Sequence, residues 1–149
     1  MITSSILIIS SFVVDQAQAV CRAAAFAGGG ARGAYEAGVV YGLNHAKNPE
    51  DFAWDVVTGV SAGALNSAGI SLWPPNEGVK MSEWLISVWS NLTTDMVYQS
   101  WPLGWLDGIT SESGLYDNTP LLNLMTKIYN TFGQVKRKAV VSSVDVNTG

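Results

Sequence analysis

Twice in this sequence a short apolar run ends in a glycine-rich turn that leads directly into a helical pattern. The first run, residues 22–27, is followed by glycines at positions 28–30. The second run, residues 52–58, is followed by the G-x-S-x-G sequence of residues 59–63. Consecutive parallel strands must be joined by a crossover, which is usually a helix. The sequence therefore predicts an α/β fold with a mainly parallel central sheet.

The rest of the chain continues this alternation. Residues 81–89 carry an apolar stripe at helical spacing, and irregular aromatic residues follow at 95–116. A helix is expected to begin with Thr119 as its N-cap, and residues 139–146 form a third predicted strand. Because three strands alone leave sheet edges unpaired, we expect the sheet to be truncated after the third strand and the domain to continue. Six residues form the apolar side of the last helix: Leu121, Leu122, Leu124, Met125, Ile128 and Tyr129.

Composition and charge narrow the classes of partner. The 149 residues are 48% hydrophobic and 13% charged, which indicates a globular core. The net charge of -4 argues against a nucleic-acid-binding surface. The densest basic run, residues 136–138, is interpreted as a solvated lead-in to a strand. A single cysteine permits neither an internal disulfide nor a Cys-based metal site, and we expect no metal and no cofactor.

Residues 1–19 differ from the rest of the chain. Their apolar run, residues 6–14, is too short to span a bilayer, and Ala17-Gln18-Ala19 is typical of a signal-peptidase site. We interpret residues 1–19 as a signal peptide and residues 20–149 as the mature region, so the protein is expected to be secreted or extracytoplasmic. The alternatives are an N-terminal strand and a misassigned start codon.

The G-x-S-x-G sequence lies where a predicted strand turns sharply into a predicted helix. A nucleophile elbow needs this context, because the turn holds its serine in a strained and exposed conformation. Gly59 and Gly63, two residues either side of Ser61, would remove clashes where strand and helix approach. The helix N-terminus favours developing negative charge. We interpret Ser61 as a catalytic nucleophile; the alternative is a structural serine in a turn of small residues.

The hexapeptide Gly28–Gly33 (GGGARG) admits two interpretations. Glycines after a strand present backbone N–H groups that can serve as oxyanion donors, and this turn should lie at the same sheet edge as Ser61. The hexapeptide also fits the G-x-G-x-x-G dinucleotide fingerprint, with Asp55 as the acid that would bind the ribose. Asp55 opens its strand, whereas the ribose-binding acid ends it, so the oxyanion interpretation is favoured.

With both motifs in place, the chain resembles the patatin-like phospholipases. Members of that family carry a G-G-G-x-R-G segment, matched by Gly28–Gly33, and an elbow followed by small residues, matched by residues 59–66 (GVSAGALN). Residues 114–121 (GLYDNTPL) and 145–149 (DVNTG) also resemble the family. The resemblance covers residues 21–149 and implies the N-terminal part of a catalytic domain with a three-layer α/β/α fold.

The resemblance also implies a function. It implies a lipid acyl hydrolase of the phospholipase or lysophospholipase type, which acts on phospholipid or other acyl-ester lipids, with a membrane or micelle surface as a further partner. In that enzyme Ser61 would be the nucleophile, and Arg32 and Gly33 would support the glycine loop. Three residues would be the oxyanion donors: Gly28, Gly29 and Gly30.

The general base is the feature that this sequence does not match. The family pairs its serine with an aspartate in a D-G-[GA] motif downstream, but Asp107-Gly108 is followed by isoleucine and is interpreted as a turn. Asp145 belongs to a strand end, and the single histidine, His45, is interpreted as a solvated loop residue. The aspartate of the Ser–Asp dyad is therefore expected beyond residue 149, and residues 20–149 alone are expected to be inactive.

Other functions stay open at this stage. One is a non-catalytic patatin-like fragment that binds lipid or a partner, and a weaker one is a dinucleotide-binding domain that uses GGGARG. The aromatic residues 101–106 (WPLGWL) would form either a lid or lipid-facing lip, or a loop that fills the core.

The signal-peptide interpretation gives a first prediction. We expect the mature protein to begin at Val20, because cleavage follows Ala19. N-terminal sequencing of protein recovered from the culture medium checks this. A chain that still begins at Met1 and stays in the cell extract would contradict it.

Overall fold

The structure of the protein is a computed structural model that describes residues 20–110 and 114–144, with Asp107 described by its backbone alone. The described part alternates strands and helices as the sequence predicts. The signal-peptide interpretation and Asp145 fall outside it. The elements are β1 (Ala23–Phe26), α1 (Gly33–Asn44), β2 (Val56–Val60), α2 (Ala62–Ser71), α3 (Gly78–Asn91), α4 (Trp105–Thr110), α5 (Thr119–Phe132) and β3 (Lys138–Ser142).

The three strands form one parallel sheet in the order β1-β2-β3. Its register pairs Phe26 of β1 with Gly59 of β2, and Gly59 with Val141 of β3. The carboxyl ends of β1 and β2 are therefore level at one edge of the sheet, and the glycine turn and the serine turn both leave the sheet there. The predicted α/β fold with a parallel sheet is confirmed.

The core lies between one face of the sheet and helices α1, α2 and α3. Ala24, Phe26 and Val57 supply the sheet side. The opposite face is exposed, with Val60 49% and Val140 56% accessible, so the described residues supply two of the three expected layers. The fully buried apolar side chains that pack on the sheet from the helices are Ala37, Val40, Ile70 and Met81.

The second strand begins later than the sequence predicts. Residues 52–58 were expected to be extended, but Pro49–Phe52 forms a turn of 3-10 helix and β2 runs from Val56 to Val60. Proline at the first position favours a helical turn because its φ is already fixed near the helical value. The consequence for the site is that β2 continues up to the residue before Ser61.

The last helix, α5, packs on the outer side of α2 and α3. Its Leu121, Leu124, Met125 and Ile128 line a narrow groove against those helices. Leu122 and Tyr129, which were expected on the same apolar side, are instead 64% and 52% exposed. Asn118 rather than Thr119 is the N-cap residue of α5, and Thr119 is its first helical residue.

The aromatic segment between α3 and α5 is more ordered than the sequence suggests. Gln99 and Asp117 form an antiparallel bridge through both backbone N–H groups, at 2.9 and 3.0 Å. Asp107 and Gly108, expected in a turn, lie in the short helix α4. Leu103 and Trp105 are 74% and 66% exposed, so this segment lies at the surface and does not fill the core. None of the helices in residues 20–110 and 114–144 has the length and apolar character needed to cross a bilayer.

Arg137 corrects the interpretation of the basic run, because it is buried and not solvated. Its side chain is 7% exposed, and burial lowers its pKa to about 10, partly offset by the negative charge of Asp55. The guanidinium therefore stays charged at neutral pH. It donates three hydrogen bonds to backbone carbonyl oxygens, those of Trp73 (2.8 Å), Trp54 (3.0 Å) and Pro74 (2.9 Å).

We expect Arg137→Ala to lower the free energy of unfolding by at least about 2 kcal/mol, since hydrogen bonds from a charged group are worth about 1.5–3 kcal/mol each. Lys136→Ala is the matched control, because it removes the same charge from the adjacent, exposed side chain and should change stability by less than about 0.5 kcal/mol. Urea unfolding of both variants measures this. Equal urea midpoints would contradict a structural role for Arg137.

Candidate active site

Ser61 occupies the sharp turn between β2 and α2. Its φ is +54° and its ψ is −125°. Residues other than glycine rarely occupy this region of the backbone map. Among the described residues it is the single non-glycine with a positive φ. Strained backbone of this kind persists where the surroundings impose it and is concentrated at functional sites. The strand, turn and helix predicted around Ser61 are present, and Ser61 is the N-cap residue of α2.

The two flanking glycines are required by the close approach of chain segments. A Cβ at Gly59 would collide with the backbone carbonyl of Gly63. A Cβ at Gly63 would lie 2.5 Å from the carbonyl oxygen of Phe26 and 2.6 Å from that of Ala27. Gly63 thus lets the start of α2 press against the end of β1, and this contact brings the elbow and the first glycine turn together.

The glycine loop, residues 28–30, lies directly against Ser61. A Cβ at Gly28 would be 3.1 Å from the Ser61 Cβ and 3.8 Å from its Oγ. Gly30 has a φ of +56° and faces open space. The loop continues into a 3-10 turn, Gly30–Arg32, and then into α1, and the first N–H groups of a helix have no partner within the helix. The arrangement therefore places the backbone of Gly28 beside the serine side chain.

Arg32 and Gly33 close the loop on its helical side. The backbone N–H of Arg32 donates to the Gly29 carbonyl at 3.1 Å, and the stem of its side chain lies beside Gly29. Gly33 is buried, and a Cβ there would lie 2.5 Å from the indole ring of Trp89. The absence of a side chain at Gly33 therefore allows α3 to pack over the start of α1.

Ser61 opens onto a cavity of about 700 Å³ that has mainly apolar walls. Gly30 lies on the same wall, so the glycine loop and the serine share this space. Within the described part of the chain, no carboxylate and no imidazole lines the cavity. The cavity is therefore suited to an apolar group, and its apolar lining includes Leu65, Trp89, Leu92, Val97 and Leu121.

His45 and Asp55 both lie away from Ser61. His45 caps the far end of α1, about 18 Å along the helix from Gly33 at 1.5 Å per residue. Its Nδ1 contacts the Tyr41 carbonyl at 2.9 Å, and its Nε2 is 3.5 Å from Glu83. Asp55 precedes β2 at the opposite edge of the sheet, where it accepts a hydrogen bond from the backbone N–H of Arg22 at 2.9 Å. Neither residue can act on Ser61 from these positions.

Next to the site lies a hydrogen-bonded group of three residues that the sequence interpretation did not select: Glu36, Asn66 and Trp89. Glu36 of α1 accepts hydrogen bonds from the backbone N–H of Ala27 (2.8 Å) and from Asn66 Nδ2 (2.9 Å). Asn66 of α2 also donates to the Gly33 carbonyl at 3.1 Å and accepts from Trp89 Nε1 at 2.7 Å. An acid in the first turn of a helix, six residues after the last glycine of the loop, was the signal available in the sequence for Glu36.

The described residues form neither a metal site nor a dinucleotide site of the expected kind. No group of three or more His, Cys, Asp or Glu side chains that could hold a metal ion occurs in residues 20–110 and 114–144. For a dinucleotide, the ribose-binding acid would have to be at the glycine-loop edge of the sheet. Asp55 lies at the other edge, so it does not fit that role.

The structure is thus an α/β fold in which a strained serine and a glycine loop lie together at the carboxyl ends of two parallel strands. A family model described as Patatin-like phospholipase matches residues 24–146, which is most of the chain. The protein belongs to the patatin-like phospholipase family. Searches of curated proteins and of solved structures each returned no match.

The close approach at Gly63 can be tested by adding one methyl group. We expect Gly63→Ala to lower the free energy of unfolding by about 1–3 kcal/mol or more, because the added carbon would overlap two backbone carbonyls that cannot rotate away. Gly38→Ala is the matched control in α1, where a Cβ meets nothing within 4 Å and should stabilise the helix by up to about 1 kcal/mol. Thermal unfolding monitored by circular dichroism compares the two variants. Equal melting temperatures would refute the contact.

Proposed function

We propose that the protein is a lipid acyl hydrolase of the phospholipase or lysophospholipase type, with Ser61 as its nucleophile. The observation that carries the proposal is the strained Ser61 at a helix N-terminus with Gly28 of the glycine loop packed against it. An exposed serine beside bare backbone N–H groups is the arrangement that acyl transfer requires. Membership of the patatin-like phospholipase family supports a lipid substrate.

In the proposed reaction the Ser61 hydroxyl oxygen attacks the carbonyl carbon of an acyl ester. Its proton passes to a general base, and the carbonyl oxygen becomes an oxyanion that accepts hydrogen bonds from backbone N–H groups of Gly28, Gly29 and Gly30. Collapse of this intermediate breaks the ester bond and releases the alcohol, which takes the proton. Water then hydrolyses the acyl-serine by the same steps, releasing the fatty acid and restoring the hydroxyl.

The general base in this proposal is an aspartate that forms a Ser–Asp dyad and is supplied by residues beyond 149. The absence of a carboxylate or an imidazole from the described lining of the Ser61 cavity supports this division. The same observation favours a second candidate, a non-catalytic patatin-like protein that binds lipid or a partner. The two candidates differ in whether Ser61 reacts.

The substrate is proposed to enter with its acyl chain in the apolar cavity beside Ser61. A volume of about 700 Å³ is within the range of pockets that hold small molecules. Tyr98, on the cavity wall, contacts Tyr116 with ring centroids 4.9 Å apart, which links the cavity to the exposed aromatic segment. We propose that Leu103 and Trp105 face a membrane or micelle surface, where aromatic and apolar side chains are favoured.

The proposed setting is extracytoplasmic. Residues 1–19 supply the argument, which rests on their sequence alone.

A serine-directed fluorophosphonate tests the function in the full-length protein. We expect the peptide that contains Ser61 to gain the mass of the phosphonyl group, and p-nitrophenyl acyl esters to be hydrolysed, because the same hydroxyl attacks both reagents. Ser61→Ala should abolish labelling and turnover.

Ser100→Ala is the control, since it removes an exposed serine hydroxyl elsewhere and should leave both signals unchanged. A folded protein that neither labels nor hydrolyses esters would favour the non-catalytic candidate. Residues 20–149 alone should hydrolyse no ester faster than their Ser61→Ala variant, whereas activity in that fragment would place the base within it.

A further inference from the structure

A chain of hydrogen bonds connects the glycine loop to the helix that carries Ser61. At the entrance of the loop, the N–H of Ala27 donates to Glu36 Oε1 at 2.8 Å. Ala27 directly follows β1 and precedes Gly28, so this bond holds the point at which the loop leaves the sheet. Glu36 lies in the first turn of α1, which begins at the other end of the loop. The Glu36 side chain thus joins the residue before the loop to the helix that follows it.

Asn66 connects the loop to α2. Its Nδ2 donates one hydrogen bond to Glu36 Oε2 at 2.9 Å and one to the Gly33 carbonyl at 3.1 Å. The residue is 1% exposed, so water cannot replace these bonds readily. Because Asn66 lies little more than one helical turn after Ser61, it fixes the exit of the loop relative to the nucleophile.

Trp89 fixes the orientation of the Asn66 amide. Its Nε1 donates to Asn66 Oδ1 at 2.7 Å. If the amide were reversed, its NH₂ group would face the indole N–H, and its oxygen would face the Gly33 carbonyl and Glu36 Oε2. Donors would then face donors and acceptors would face acceptors, so the network allows one orientation. The Trp89 ring also packs over Gly33.

We infer that Glu36, Asn66 and Trp89 are positioning residues that hold the oxyanion-donating glycine loop at a fixed distance from Ser61. The inference rests on the proposed function, since it assigns these side chains to the same acyl-transfer site. Their hydrogen bonds go to one another and to the backbone of Ala27 and Gly33, and not to Ser61. They act through the backbone of residues 27–33. Glu36 is the residue that contacts both the start of the loop, at Ala27, and the helix α2, at Asn66.

The effect of losing this support should appear in turnover. Oxyanion donors act only if they meet the oxygen as charge develops, and removing one such donor in other serine hydrolases costs about a hundredfold or more in kcat. Displacement of the loop by a fraction of its hydrogen-bond length should cost less than complete loss. Ground-state binding depends on the apolar cavity walls, which do not include Glu36. In a Glu36 variant, kcat should therefore fall while KM stays near its original value.

Glu36→Gln in the full-length protein is the test. The glutamine has nearly the same size, but it has one acceptor oxygen and one NH₂ group where two donors converge, so one of the two bonds must break. Glu50→Gln is the matched control, because it removes the same charge from an exposed side chain. Activity on p-nitrophenyl esters should be expressed per site titrated by the fluorophosphonate, which removes any contribution from misfolded protein.

We expect kcat per titrated site to fall by about tenfold to a hundredfold in Glu36→Gln, with KM within about twofold and Glu50→Gln unchanged. Trp89→Phe keeps a ring over Gly33 and removes the N–H, so it should cause a smaller fall in the same direction. It serves as the test if Glu36→Gln does not fold. Glu36→Asp, which keeps both acceptor oxygens, should recover part of the lost kcat.

The outcomes separate the inference from the proposed function. A Glu36→Gln or Trp89→Phe protein with unchanged kcat per titrated site would overturn the inference while leaving Ser61 as the nucleophile. A fall in melting temperature with no change in kcat per titrated site would show a purely structural network and would also overturn it. Retention of full activity in Ser61→Ala would instead overturn the proposed function, and the inference with it.

Discussion

The close approach of the start of α2 to the end of β1 is the constraint on which this site depends. Gly63 lies so near the carbonyls of Phe26 and Ala27 that a single methyl group there would overlap both. This contact brings two turns together that leave the sheet from neighbouring strands, and Gly28 consequently lies within van der Waals distance of Ser61. Ser61 and the glycine loop are adjacent because backbone meets backbone without side chains between them.

A strained serine needs surroundings that hold it in place. A residue with the φ and ψ of Ser61 would relax if β2 or α2 could shift, and such strain costs about 1–3 kcal/mol. The structure opposes that relaxation from both sides. Val57 of β2 is fully buried against the helices, and Asn66 of α2 is bonded to α1 and to α3. The elbow is therefore stabilised by contacts of its flanking elements more than by contacts of the serine itself.

The features that the sequence predicted are those encoded within a few neighbouring residues. The elbow and the glycine loop follow from residue types at short spacing, and both lie where the pattern of strand and helix placed them. The bond between Glu36 and Asn66 and the burial of Arg137 could not be found this way, because Asn66 and Glu36 are 30 residues apart and Arg137 reaches a carbonyl 83 residues away. A charged residue in a basic run gives no local sign of burial. The start of β2 was also misplaced, because a short apolar run does not by itself mark where extended backbone begins, and the 3-10 turn that starts at Pro49 includes Phe52.

The same distinction between local and long-range contacts applies to the proposed chemistry of the site. In the proposed reaction, the attacking oxygen and the oxyanion donors must stay fixed relative to each other. Both lie on one unit built from β1, α1, β2 and α2 and joined by short backbone contacts. A general base must come within hydrogen-bond reach of the serine oxygen, but it need not belong to the unit that carries the oxyanion donors. It can therefore come from a different part of the protein without loosening the oxyanion geometry. In the proposed enzyme, one set of contacts holds Ser61 in position, and a different group takes its proton. Each of these can be provided by its own part of the protein.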